Sequence, residues 1–366
     1  MTLRRRTALA VLAACAVAIL VVYFTVQSIL AAHSTTLERE KANRDLERAS
    51  DALSQDIASI ETAVGVWAPW DDTYHFMGDR NPEYIASNLN ASTLLNLSVD
   101  FVVYVDSTGQ VFYSKAVDAS SGTEAAIPQG LEQFVTGAGL LAQHPSETSS
   151  IAGILFLPEH LALVASQPIL TSQKEGPIAG SLVMGRYLDS EEVQSLSEAA
   201  DLSLELYRVD DPEVPEDFQV ARSSLSEGQT TLVRVLDGKT IAAYALVNEI
   251  NGNPAFVLGI DEPRDIYAQG RQTARNILFL LLGLSALFSV LLVLEIDTLV
   301  MSRWRRLTAR VAAAAKGGSL SERVSVGGKD EVTAVAEAVN VTLSSLERSH
   351  RDLIQSEARN RALVEA

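Results

Sequence analysis

Cysteine is almost absent from these 366 residues, and the one thiol, Cys15, excludes an intrachain disulfide. Any folded part must therefore hold together by packing alone. Positive charge is also scarce: 29 Lys and Arg stand against 46 Asp and Glu, a net charge of −17. An anionic surface repels nucleic acid and gains nothing from anionic lipid headgroups, so neither is expected as a partner of the acidic part. Catalytic signatures are missing too. No Walker loop, GxSxG elbow, HExxH or paired-cysteine motif occurs. A hydrolase reading fails for want of a nucleophile–base set, and no cofactor, metal or catalytic residue is expected.

Against that charge, 47% of the residues are hydrophobic and the mean hydropathy is +0.14. Greasy and acidic segments must be segregated, and they are. Thr7 to Leu30 ("TALAVLAACAVAILVVYFTVQSIL") and Asn276 to Leu294 ("NILFLLLGLSALFSVLLVL") carry no charge. A helix needs about 20 apolar residues to cross a bilayer, so both qualify as membrane spans. The first exceeds the usual 7 to 15 residue core of a signal peptide, which favours an uncleaved anchor, although "ILAAHS" offers a weak cleavage site.

Arg4, Arg5 and Arg6 precede the first span, while Arg303, Arg305, Arg306 and Arg310 follow the second. Both termini are therefore expected in the cytoplasm of a two-pass inner or plasma membrane protein. Arg271 and Arg275 oppose this and are outweighed. Residues 31–274 hold 36 acidic and 14 basic side chains, so the negative charge is concentrated in the extracytoplasmic loop.

After the first span, residues 31–66 contain neither proline nor glycine before Gly65. Leu46, Ala49, Leu53, Ile57, Ile60, Val64 and Trp67 recur at steps of three and four, which predicts one long amphipathic helix. A stalk rising from the bilayer is the simple reading, with self-pairing in a homodimer as its corollary. From Asp100 the period changes to two. "FVVYVDSTGQVFYSK" reads as a hairpin turning at Ser107, Thr108 and Gly109, and "IAGILFLPEHLALVASQPI" repeats the design. "AGSLVMGRYL" adds a strand and "SEEVQSLSEAA" a helix that Ser190 would cap. "LSLELYRV", "TTLVRVLDGKTIAAYALV" and "PAFVLGID" add further strands. The expected fold class is α+β: a PAS- or Cache-like sensor with one central antiparallel sheet, between two transmembrane helices and followed by an all-α segment.

In that last segment Leu307, Val311 and Ala314 form one stripe, "KGGSL" breaks the helix, and Val332, Val335, Val339, Thr342, Leu346 and Leu353 form a second. Two such helices bury their seams only as a parallel four-helix bundle in a dimer. The segment resembles a HAMP domain. "GGSLSERV" is similar to that family's connector, with Leu320 and Val324 or Val326 as its anchors, and "KDEVTAVAEAVN" to its second helix, led by Asp330 and Glu331 and carrying Asn340. Trp304 stands where a proline is usual, Thr333 replaces a glycine and Val339 a phenylalanine, which leaves the packing state open.

The outer loop resembles the fourth class of CHASE sensor domains, which are found outside the membrane in histidine kinases and cyclases. Three stretches carry the likeness, in order: "WAPWDDTYHFMGDRNPEYIASNL", "VDFVVYVDSTGQVFYSK" and "NGNPAFVLGIDEPRDIYAQG". The resemblance implies a ligand-sensing input module over 61–270. The expected organisation is 1–6 cytoplasmic, 7–30 first span, 31–66 stalk, 61–270 sensor, 276–298 second span, 299–348 HAMP and 349–366 linker helix. "DLIQSEARNRALVEA" in that linker resembles the opening helix of a PAS domain.

Three readings compete for "WAPWDDTYHF". In the first, Pro69 ends the helix, Trp67 and Trp70 pack beneath the sheet, and Asp71 or Asp72 caps the next turn. In the second, Trp70, Asp71, Asp72 and Tyr74 line a cavity for a cationic or polar ligand. In the third, His75 joins Asp71 or Asp72 around a metal, without a specific spacing. Arg264 in "DEPRDIY" would either fork a ligand carboxylate or pair with Asp261, Glu262 or Asp265.

His350 in "SHRDLI" lacks the proline of a kinase phosphoacceptor box and reads as a solvated residue. The sequons at Asn90 and Asn96 matter only in a glycosylating host. The functional expectation is a transmembrane receptor of the two-component or cyclic-dinucleotide type. It senses an extracytoplasmic small molecule and relays through HAMP to a kinase, cyclase or PAS output module missing from this chain. The alternative is a non-switching membrane-anchored binding or adaptor protein acting with a separate kinase.

Overall fold

The computed structural model describes residues 3–226, 228–316, 323–325 and 331–364. The expected helix-breaking glycines Gly317 and Gly318, and Leu320, Val326 and Asp330, lie outside the described residues. The chain divides into two units, Ala31–Gln269 and Met1–Leu30 with Gly270–Ala366.

The unit Ala31–Gln269 begins inside helix α1 (Leu3–Trp67), which Pro69 follows closely. Three short helices come next: α2 (Asp71–Asp79), α3 (Pro82–Asn88) and α4 (Ala91–Asn96). Strands β1 (Phe101–Asp106), β2 (Val111–Val117) and β3 (Glu124–Ala125) precede helix α5 (Glu132–Val135). Then come β4 (Ile151–Phe156), β5 (Leu161–Ile169), β6 (Gly180–Tyr187) and helix α6 (Ser190–Ala200). Strand β7 (Leu204–Arg208), helix α7 (Glu216–Ser224), β8 (Thr231–Val235), β9 (Thr240–Asn248) and β10 (Pro254–Pro263) complete it.

The expected single central sheet is two antiparallel sheets, ordered β3-β2-β1-β6-β5-β4 and β7-β10-β9-β8. Alternation identifies each hairpin, because hairpin partners are neighbours in sequence, but it carries no signal of which edges end a sheet. The break falls at α6 and its left-handed C-cap, Asp201 (φ 54°). That helix is capped by Asp189, not Ser190: the Asp189 carboxylate accepts the amides of Glu191 (2.9 Å) and Glu192 (3.0 Å).

Period-two alternation sorts each strand's side chains between two cores. From the first sheet, Val102, Tyr104, Leu182 and Met184 join the main core, while Phe101, Val103, Val105 and Val183 meet Leu131, Phe134 and Leu141 on the other face. Burial on both faces is why β1 is a nearly unbroken apolar run. The second sheet divides likewise, with Phe256, Leu258 and Ile260 in the main core and Tyr244 and Val257 against Phe218 of α7. Gly109 (φ +78°) takes the left-handed conformation that the first hairpin turn requires. Gly185 is needed for another reason: a Cβ there would overlap the Phe101 ring.

The stalk reading of α1 does not survive. Ala42, Leu46, Ala49, Leu53, Ile60 and Val64 are each at most 5% exposed and belong to the main core, together with residues of both sheets. Each fully buried Leu, Ile or Val there gains roughly 1.5–3 kcal/mol. The stripe is therefore satisfied inside its own domain and does not remain for a partner's helix. A 3/4 stripe cannot distinguish those two uses.

The other unit contains the first part of α1 and the apolar part of helix α8 (Asp265–Glu295). A π-helical segment (Ile296–Met301) leads from α8 into α9 (Ser302–Lys316), and α10 (Glu331–Val364) follows. Among the described residues, two helical stretches, within Leu9–Trp67 and Asp265–Ala313, are long and apolar enough to cross a membrane. Leu307, Val324, Val332 and Ala336 form a small core with Val311, Val339 and Leu343. The expected second stripe thus splits. Val332 and Val339 face α9, whereas Val335, Leu346 and Leu353 are 40%, 53% and 59% exposed.

Candidate functional site

The "WAPWDDTYHF" block is where α1 ends and α2 begins. Trp70 is the N-cap of α2 and lends no side-chain cap, so neither Asp71 nor Asp72 caps the helix as expected. Both sit in its first turn, where a negative charge favours the helix dipole. Asp71 instead grips the loop after β5: its carboxylate accepts the Ser172 amide at 2.8 Å, and its own amide donates to the Ser172 hydroxyl at 3.1 Å. The Ser172 amide holds the Asp71 carboxyl below the usual carboxylate range. Tyr74 reaches the same loop, donating to the Pro177 carbonyl at 3.4 Å. Asp72 is exposed, and Trp70 and Tyr74 are half-buried. The four residues thus lie at one edge, beside loop 171–177.

Beneath that edge lies a cluster that the sequence reading did not single out. Phe76 is 1% exposed and stacks on Tyr84 (centroids 4.6 Å apart), with the rings of Tyr104, Phe112 and Tyr113 edge-on at 5.3–5.8 Å. Trp67 and Trp70 meet at 5.8 Å and pack partly buried against the same core. Buried hydroxyls run through it as a chain: Thr73 Oγ1 to Tyr84 Oη is 2.7 Å, and Tyr84 Oη to Tyr104 Oη is 3.1 Å. Burial pushes both tyrosines upward, so they remain neutral donors and acceptors. The signal available in the sequence was a tyrosine inside each of two apolar runs, "PEYIASNL" and "FVVYV".

The structure does not bring Arg264 to this cluster. Its guanidinium Nε donates to Glu38 Oε2 at 2.8 Å near the other end of the domain's share of α1, roughly 45 Å along the helix from Trp70. Arg264 and Glu38 side chains are 7% and 2% exposed. The expected partners Asp261, Glu262 and Asp265 are not the ones used. Arg264 Nη1 donates to the Asp237 carbonyl and its Nη2 to Thr35 Oγ1, Tyr267 N–H donates to Glu38 Oε1, and the guanidinium lies 4.2 Å from the Tyr267 ring centroid. Glu262 instead pairs with Lys41, which also stands 3.5 Å from Asp45. β10 and the start of α8 are thereby tied to α1 by ionic contacts spread over two helical turns.

Of the HAMP-like residues, Val324 and Asn340 are brought together. Asn340 Oδ1 accepts the Val324 amide and its Nδ2 donates to the Val324 carbonyl, both at 2.8 Å. A side-chain amide reproduces here the two-bond pattern of a β-ladder and fixes the connector on α10. Glu331 opens α10 and is exposed. Among the described residues, no group of three His, Cys, Asp or Glu stands ready for a metal ion, and His75 with Asp71 and Asp72 forms none.

Comparison with known proteins agrees with the two-part reading. Residues 52–207 match the CHASE4 domain and residues 298–348 the HAMP domain. The methanogenesis regulatory histidine kinase FilI of Methanothrix harundinacea (strain 6Ac) is 31% identical over 315 residues. That stretch is 86% of this chain and 34% of FilI, so the chain spans about a third of that relative's length. Among solved structures, the extracellular domain of vpHK1S-Z8 matches with a TM-score of 0.44 at 14% identity, covering 68% of this chain and 99% of that one. The periplasmic domain of LuxQ from Vibrio cholerae matches with a TM-score of 0.40 at 9% identity, covering 61% and 98%. The chain thus carries a CHASE4 domain and a HAMP domain, together with two helical stretches long and apolar enough to cross a membrane.

Proposed function

We propose that the chain is the input half of a two-pass, dimeric receptor whose sensor lies outside the membrane and whose termini lie in the cytoplasm. A small cationic or polar molecule binds at the edge formed by Trp70, Asp71, Asp72 and Tyr74. There two carboxylates and a hydroxyl face solvent over an aromatic floor. Binding changes how α2 and loop 171–177 sit on the end of α1, and the helix carries the change toward HAMP and an output module of the kinase or cyclase type. The ligand must bind the two arrangements unequally for any signal to pass.

One observation carries the reading: α1 is a single helix whose sequence includes both the first apolar segment and the stripe buried in the sensor core. A core rearrangement therefore acts on an element that enters the membrane. The exposed Val335, Leu346 and Leu353 supply the face on which two copies of α10 pair.

Disulfide trapping tests the relay. With Cys15 replaced by alanine, single cysteines are placed at Val335 and Leu346, and crosslinking in membranes is compared with and without Asp72→Ala. The proposal expects the yield ratio of the two positions to change when the exposed Asp72 is removed. The same ratio with every substitution at Trp70, Asp72 and Tyr74 sinks the switch and leaves the non-switching adaptor.

A further inference from the structure

Near the middle of the sensor's share of α1, two carboxylates face one cation. Arg186 of β6 places its Nη1 2.7 Å from Glu192 Oε1, on α6, and 3.9 Å from Asp56 Oδ1, on α1. Its Nε donates to the Ser98 carbonyl at 2.5 Å, which fixes the guanidinium in place. The three side chains are largely withdrawn from water: Arg186 is 15% exposed, Glu192 17% and Asp56 29%.

The remaining charges nearby do not balance the pair. Asp100, Asp189, Glu191 and Glu192 line an adjoining cleft of about 280 Å³ with Arg186 and Tyr187. Asp100 accepts the Tyr187 amide at 2.6 Å, and Asp189 is occupied as the cap of α6. Tyr187 is pushed up to about 12, chiefly by burial, and contributes no charge. Arg186 is thus the one cation among the residues that line the cleft, and Asp56 and Glu192 must share it.

We propose that Asp56, Arg186 and Glu192 form a proton-operated latch between α1 and α6, closed when Asp56 is protonated and loosened when it is not. With a proton on Asp56, its hydroxyl donates to Glu192, Glu192 pairs with Arg186, and no charge is left over. Without it, two carboxylates repel across a single guanidinium in a partly dry joint. The proton comes from solvent, and no other reactant is needed.

The titration of Asp56 falls in the useful range. Burial first, and then the neighbouring Glu192, push it up to about 6, with Arg186 opposing. The sign follows from linkage. A carboxyl raised in the folded state binds its proton more tightly there than in the opened state. The contact is therefore strongest at low pH and weakens as pH rises through about 6. His144 works the other way. It is pushed down to about 4 by burial, so its uptake of a proton loosens the fold at lower pH and does not reproduce the latch's response. The inference concerns the sensor alone and stands whether or not the relay to HAMP operates as proposed.

Hydrogen exchange of the full chain in nanodiscs tests it, with rates normalised to unstructured peptides at each pH. Amides of residues 190–200 and 52–60 are followed from pH 5 to 7.5. The expected wild-type result is a loss of protection of roughly tenfold over this range, levelling off above a midpoint near 6. Asp56→Asn, whose amide donates to Glu192 at every pH, is expected to keep the protected state throughout. Glu192→Gln, which removes the other carboxylate and leaves Arg186 to Asp56 alone, is expected to move the midpoint well below 6. Either variant alone decides the matter if the other fails to fold. A flat wild-type profile, or a midpoint near 6 that persists in a folded variant, overturns the latch.

Discussion

Replacing Arg264 with alanine is expected to destabilise the sensor by about 3–5 kcal/mol, the cost of stranding one member of a buried ion pair. Glu38 would keep its carboxylate at 2% exposure with only the Tyr267 amide as a partner. The Asp237 carbonyl and Thr35 hydroxyl would lose a donor as well. A loss of that size is a large share of the 5–15 kcal/mol that typically holds a domain together. With Trp304 of the other unit replaced by phenylalanine, denaturant unfolding followed through tryptophan emission reads the sensor, because Trp67 and Trp70 pack against its core. Glu38→Gln should cost less, since the amide oxygen still accepts. The pair Glu38→Leu with Arg264→Met should recover most of the loss, because an apolar pair leaves no charge stranded. A double-mutant cycle with a coupling below about 0.5 kcal/mol would show that the two side chains do not act as a pair.

The second large effect is expected at Phe76. Truncation to alanine removes the ring at the centre of the aromatic cluster and should cost about 3–5 kcal/mol, in the range of buried Phe→Ala changes. The cavity would open beneath α2, between Tyr84 and Tyr104 and next to the Thr73 hydroxyl. Phe76→Leu fills part of that volume and should lose roughly half as much. The same fluorescence experiment measures both, and a Phe76→Ala cost under about 1 kcal/mol would mean that the cluster is not packed as described. A cavity there would also shift the edge that carries Trp70, Asp71 and Tyr74, so ligand response is expected to fall with stability. At the exposed Asp72 the two should separate.

These expectations differ in how far the sequence foreshadowed them. The first hairpin was legible, because Ser107, Thr108 and Gly109 are residue types that a tight turn favours; the acceptor that closes the turn, Asp106 Oδ1 on the amides of Thr108 and Gln110, came only with the structure. The helical stripe of α1 was legible as a stripe but not as to its partner, since Leu46, Leu53 and Ile60 would pack equally well on a sheet or on another helix. The Glu38–Arg264 pair was out of reach. Its members are 226 residues apart, while three nearer acids offered themselves to Arg264. The same limit hid Tyr84 and Tyr104. A hydroxyl in an apolar run signals a buried partner, but only the folded chain shows that each is the other's partner. Short polar anchors such as Asn340 on Val324 fall between, because the sequence marks the residue and the fold supplies its target.

The account depends most on the side of the membrane to which each unit is exposed. With Cys15 replaced by alanine, Glu159→Cys marks an exposed turn of the sensor and Arg348→Cys the exposed surface of α10. A membrane-impermeant maleimide added to intact cells is expected to label Glu159→Cys fully and to leave Arg348→Cys unlabelled until the cells are broken. Labelling of Arg348→Cys in intact cells, with Glu159→Cys protected, would contradict the account.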